Sequence, residues 1–290
     1  MKRAATLFAV LAMTGFGAAQ TQAQPPAPSA EPQARATQPT GRPPIQAKNQ
    51  AEYQAWQTAI ANAQNPEAMA KAADDFAAKF PDSDLRVLLY RAAMNSYRTA
   101  GNSDKMMDMG LKVLGIDKHD PEALIVVAQV LQEHTSPTDL DRDQREDQAL
   151  SFAQHSLETV ETDLAVPAGS PPEKVEAYKR YLRSTALAIV GTIQYKREQY
   201  PDAEASLRKS VEADSSNPDA VVILRLALTL DQEKKYSDAL QQANRAVELT
   251  QDSTDVGKMA RDERDRLVMV TNGSNSSATP APQNSAPPSH

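Results

Sequence analysis

Few residues in this chain have the type and spacing to do chemistry. Cys is absent, which excludes disulfides, thiolate nucleophiles, cysteine-ligated metals and a lipid-anchored N-terminal Cys. His119, His134 and His155 are the histidines of the central region. None has a metal-ligand spacing such as H-E-x-x-H, so each reads as a solvated or helix-capping imidazole. His134 falls near a helix end, where a cation suits the dipole. Asp139, Asp141 and Asp143, followed by Glu146 and Asp147, begin like a calcium loop. That loop needs Gly at its sixth position and a bidentate Glu at its twelfth; here they are Gln144 and Leu150. Arg142 and Arg145 dilute the charge further, so the run reads as a solvated loop. No G-x-S-x-G, no dinucleotide fingerprint and no phosphate-cradling glycine loop occurs. The expectation is a non-enzyme with no cofactor and no metal, acting by binding.

Binding by shape needs a scaffold, and the composition says which kind. The chain has 290 residues, 5% aromatic, with 10 Gly and abundant Ala and Leu. That balance favours helix over sheet. Lys+Arg is 31 against Asp+Glu 38, a formal charge of −7. An acidic chain lacks the basic surplus that phosphate neutralisation requires, so nucleic acid is not an expected partner.

The ends are distinct from the middle. Met1-Lys-Arg precedes an apolar, uncharged stretch over 4–19 and then small residues at Gly17-Ala18-Ala19 and Thr21-Gln22-Ala23. This pattern predicts a signal peptide over 1–23, too short for a membrane span of about 20 residues. An uncleaved N-terminal anchor is the alternative. Residues 24–44 hold seven prolines and predict an extended, disordered linker. Residues 271–290 carry no Asp, Glu, Lys or Arg and predict a disordered tail. The expected folded part is therefore 45–270, in a periplasmic or secreted protein with no integral membrane span once mature.

Within 45–270 the apolar spacing is close to 3.6, with no strand-like alternation. Asn65-Pro66, Asp120-Pro121 and Asn217-Pro218 each predict a capped helix start with Pro in the first turn. Ser170-Pro-Pro-Glu173 predicts a capping box. Tyr200-Pro-Asp-Ala203 aligns with Tyr236-Ser-Asp-Ala239, an offset of 36 residues. Twelve positions before each Ala stands another small residue, Gly191 or Ala227. Two helices that cross closely need small side chains at the crossing.

These residues resemble the tetratricopeptide repeat family, whose 34-residue helix pairs place small residues at positions eight and twenty, Tyr at seventeen and Ala at twenty-seven. Residues 220–251 match best, through Leu226, Ala227, Leu230, Tyr236, Ala239, Ala243 and Ala246. Residues 184–217 match through Gly191, Tyr200 and Ala203, with Ser210 in place of Ala. Looser pairs precede them at 121–162, 87–120 and 48–82; Met94 and Met106 take the small positions of 87–120. The resemblance implies an all-α fold, a right-handed helical-hairpin solenoid of TPR-like repeats, closed by a C-terminal capping helix at 254–270. A continuous helix over 173–198, about 39 Å long at 1.5 Å per residue, exceeds the usual first helix of a pair. Its early apolar residues Val175, Tyr178 and Leu182 must pack on the neighbouring pair or on a partner.

The resemblance also implies a concave groove lined by the first helix of each pair. Carried over residue by residue, it comprises Leu88, Arg91, Asn95 and Arg98, then Gln129 and Gln132. It continues with Thr192, Tyr195 and the adjacent Lys196, then Leu224, Leu228 and Asp231. Arg91, Asn95 and Arg98 share one helical face at i, i+4 and i+7; they could hold a ligand's carboxylates by charge-assisted hydrogen bonds, and the alternative is that both arginines pair with nearby acids of this acidic chain. The function so implied is a non-catalytic scaffold of the cell envelope that binds a protein or peptide. A structural spacer and a hydrolase on a helical frame are the alternatives.

Overall fold

The computed structural model describes residues 45–61, 65–167 and 169–276. The signal peptide 1–23, the linker 24–44 and most of the tail 271–290 lie outside the described residues. Among the described residues there are eleven helices and no strand. They are α1 (Gln50–Ile60), α2 (Pro66–Lys79), α3 (Leu85–Ala100), α4 (Ser103–Leu114), α5 (Pro121–His134) and α6 (Arg142–Thr159), then α7 (Pro172–Lys196), α8 (Tyr200–Ala213), α9 (Ala220–Gln232), α10 (Tyr236–Glu248) and α11 (Asp255–Ser276). None of them is long and apolar enough to cross a membrane.

Each helix packs on its neighbours in sequence, so the chain is five hairpins and a last helix stacked in order. First helices also touch the next first helix directly, at α1–α3, α5–α7, α7–α9 and α9–α11. They therefore form the crowded inner layer, and the second helices the outer one. The core is a relay of clusters rather than one centre: α1 to α5, then α5 to α7, then α7 to α11. Helix α5 sits at the junction of the first two. Its run Ala123–Ala128 is buried all round, as expected of a helix without a polar face.

Small residues set the crossings where the sequence suggested. A Cβ on Gly191 would stand 2.7 Å from Leu207 Cγ and 3.2 Å from the Leu207 amide nitrogen. Ala203, Ala227 and Ala239 are fully buried. Ser210 is equally buried, and its hydroxyl donates to the Ser184 carbonyl at 2.7 Å. In the α3–α4 pair Met94 and Met106 are both buried, and Gly110 instead lets α4 approach the next helix, α5. A Cβ there would meet Val127 Cγ2 at 3.1 Å and Met94 Sδ at 3.6 Å. The tight turns after α3, α7 and α9 each use one left-handed residue: Gly101, Glu198 and Lys234.

The helix starts divide. Asn65 and Asp120 cap as expected, accepting from Ala68 N at 3.2 Å and Ala123 N at 2.9 Å. Asn217 does not; α9 begins at Ala220 and Asp219 is the cap, accepting from Val221 N at 2.8 Å. The capping box at Ser170 is absent. A residue before Pro is pushed out of the helical region, and Pro171 stands at φ −60°, ψ 131°. The helix can begin only at Pro172, which leaves Ser170 a residue too early; its hydroxyl donates to the Pro167 carbonyl at 2.8 Å. Helix α6 starts at Arg142, so Asp143, Glu146 and Asp147 are helical rather than part of a solvated loop. Helix α11 continues past 270 into the segment expected to be tail.

The long helix is α7, with 25 residues. Its early part packs inward, since Val175 and Leu182 are buried and Tyr178 packs against a cluster with Ile125, Val160 and Leu164. Lys179 is buried with them, and its ammonium reaches Glu161 Oε2 at 3.1 Å.

Candidate functional site

The inner layer brings the expected site residues onto α3, α5, α7 and α9. At the α3 end, Leu88 packs against the first core cluster. Arg91 is engaged within the protein. Its guanidinium pairs with Asp120, which is fully buried and simultaneously caps α5. Burial works against the Arg91 charge, but Asp120 and then Glu122 outweigh it and shift the group upward. Arg91 is thus a strut between α3 and α5, the acid-paired of the two roles its sequence allowed. The reason is local: the Asp-Pro start of α5 presents its carboxylate to the α3 face. Asn95 and Arg98 remain exposed, with no side-chain partner among the described residues. Arg98 lies within electrostatic reach of Tyr178, whose hydroxyl hydrogen-bonds Glu122. Tyr178 in turn stacks on the exposed Tyr181, centroids 6.1 Å apart at 16°.

The α5, α7 and α9 section is different. Gln129 Nε2 donates to Glu133 Oε1 at 2.8 Å. The Gln132 carbonyl accepts from Lys196 Nζ at 2.8 Å, with the Thr135 carbonyl at 3.5 Å. Tyr195 meets Tyr200 edge-on at 5.7 Å, and burial raises its hydroxyl above the usual range. Thr192 is buried, and its Oγ1 accepts from Arg225 Nη1 at 2.6 Å. Leu224 is buried in the core beside Ala246 and Ala260, and Leu228 packs against it. Leu224 is therefore not free to line a groove, a correction to its expected place, whereas Leu228 is only partly buried. Helix α9 is apolar on nearly every face, so register alone does not choose its inner side. Asp231 closes this section with an ion pair to Arg266 of α11 at 2.5 Å.

Arg225 is the residue that sequence reasoning missed. It is the one charged residue of the run Ala220–Leu230, and that isolation was the available signal. Thr192 and Lys196 are one helical turn apart on α7, so the hydrogen bond to Thr192 brings Arg225 beside Lys196. Among the described residues neither cation has a carboxylate in contact. Burial lowers Arg225 from its ordinary value, only partly offset by Tyr195 and Asp219. Partial burial of its stem also lowers Lys196, opposed by Glu146 and Glu133 and assisted by the Arg225 charge, although the side chain as a whole is exposed. Two neighbouring cations with no carboxylate in contact among the described residues, Arg225 half-buried and Lys196 exposed, make this the local place on the inner layer suited to an anionic group. The flanking Tyr195, Gln129 and Gln132 can hydrogen-bond an extended backbone.

A scan against protein-family profiles finds no match, and a comparison with curated protein sequences finds none either. Among solved structures the chain is similar to a thermophilic TPR protein of Thermus thermophilus, at 15% identity and a TM-score of 0.41 over 76% of this chain and 99% of that one. It is also similar to the assembly chaperone of RpL4, Acl4, at 13% identity and a TM-score of 0.41 over 77% of this chain and 99% of that one. On its own helix pairing, small-residue crossings and stacking order, the described part of the chain is an all-α solenoid of tetratricopeptide-like hairpins.

Proposed function

We propose that the chain is a non-catalytic scaffold that binds a protein or peptide along the inner face of its first helices. The observation that carries this is the pair of neighbouring cations Lys196 and Arg225 on α7 and α9, which has no carboxylate in direct contact among the described residues. An extended segment with a carboxylate side chain or a free C-terminus supplies the missing charge, while Gln129, Gln132 and Tyr195 hold its backbone. Arg98, Asn95 and Tyr181 form a second exposed contact area further along the layer. The predicted signal peptide, linker and tail set this scaffold in the cell envelope, periplasmic or secreted.

The test is capture from envelope extract by the full chain, beside an Arg225→Gln/Lys196→Gln double variant, with partners identified by crosslinking mass spectrometry. The expected result is a partner crosslinked to α7 and α9 and lost in the variant. A partner retained by the variant moves the interface elsewhere, and no partner from either bait returns weight to a spacer. Cell fractionation checks the compartment, and recovery in the cytosol alone overturns it.

A further inference from the structure

His119 and His155 are 36 residues apart in sequence, and each by itself reads as a solvated imidazole, yet the fold brings them together. His119 lies in the turn between α4 and α5, and His155 on α6. Nδ1 of His119 stands 2.9 Å from Nε2 of His155, with ring centroids 5.0 Å apart at 56°. The other nitrogen of His155, Nδ1, stands 3.1 Å from Glu158 Oε2. Both rings border an open cleft of about 370 Å³, walled by Leu114, Leu124 and Phe152. The Glu158 contact places a proton on His155 Nδ1 and leaves Nε2 as a lone pair aimed at His119.

We propose that this pair binds a divalent transition-metal ion of the imidazole-preferring kind, Zn(II), Ni(II) or Cu(II), through His119 Nδ1 and His155 Nε2. A tetrahedral ion about 2.0–2.1 Å from each nitrogen needs the two nitrogens about 3.3–3.4 Å apart. The observed spacing falls short by a few tenths of an ångström, and both rings must also turn so that their lone pairs converge on the ion rather than face each other. Glu158 holds the far nitrogen of His155, the carboxylate–histidine–metal arrangement that fixes the tautomer and strengthens the ligand. Hard cations such as calcium or magnesium prefer oxygen and are not expected here. The proton on His119 Nδ1 moves to its Nε2 through solvent as the ion binds. Lys118 lines the same cleft and opposes a cation, while Glu158 favours one. Among the described residues no third protein ligand converges, so water completes the coordination and the ion exchanges readily.

The test uses the untagged full chain and follows its four histidines, His119, His134, His155 and His290, by NMR during Ni(II) titration. The expected result is that the ring signals of His119 and His155 broaden together, at lower metal than the other two. In calorimetric Zn(II) titration, His119→Gln and His155→Gln each weaken binding at least tenfold, and Glu158→Gln weakens it without removing a ligand. Circular dichroism checks that the variants keep the fold. Four histidines broadening in parallel, or affinity within twofold in both single variants, overturns the site and leaves a plain imidazole–imidazole hydrogen bond.

Discussion

At the scale of single residues, two arginines of the inner layer have opposite roles. Arg91 joins the buried Asp120, whereas Arg225 is desolvated and meets only a hydroxyl. Removing one partner of a buried pair strands the other charge and costs about 3–5 kcal/mol. Arg91→Met is therefore expected to destabilise the protein by about 3 kcal/mol in urea unfolding. Arg225→Met deletes a charge with no carboxylate in contact and one hydrogen bond to Thr192, so it is expected to cost less stability than Arg91→Met while abolishing capture of the partner. Equal losses in both variants would contradict the distinction. The sequence points to Arg91 and passes over Arg225 because a repeat register fixes which face a residue occupies. It does not say which side chain already has an answer inside the protein. That information sits in Asp120, a residue already marked for another task as the cap of α5.

At the scale of helices, periodicity and close crossings were readable from sequence and terminal geometry was only partly so. Gly191, Ala203, Ala227 and Ala239 fall at the crossings because backbone proximity permits little else there. Caps depend on one or two residues of register. Asn217 and Ser170 each have the right chemistry and miss the helix start, the second because adjacent prolines delay it. The fusion of α7 into one long helix was legible, while the early start of α6 was hidden by its density of charge. Gly191 gives the element-level prediction. With Leu207 Cγ only 2.7 Å from the position of a Cβ, Gly191→Ala forces α7 and α8 apart and is expected to cost about 1–3 kcal/mol. Adding Leu207→Ala removes the clashing γ and δ carbons, so the double variant should cost less than the sum of the two single changes in thermal unfolding.

At the scale of the whole stack, each hairpin depends on the next, and charged contacts fasten the joints. Glu204 of α8 reaches Lys235, at the start of α10, at 2.5 Å and Arg208 at 2.7 Å. Burial alone would raise its carboxyl, but Lys235 and Arg208 hold it at about 2. A depressed carboxylate stabilises the fold above its ordinary value of 4.5, and that contribution disappears as the pH falls toward about 2. Glu233 leans on the same lysine and shifts the opposite way, raised by burial and by Glu204, which reduces the net effect. Unfolding midpoints between pH 4.5 and 2 should therefore fall more steeply in the parent chain than in Glu204→Gln. Hydrogen exchange should show α9 to α11 opening first, since repeats loosen where their nearest-neighbour contacts fail. The Lys196 ammonium has a like position between elements, because it closes the carbonyl end of α5 at Gln132 and Thr135. A carboxylate that draws it away uncaps that end and unlatches the connection over 135–141. Arrival of a guest on the inner face would thus be announced on the rim of the solenoid, as a strand of backbone newly open to a protease.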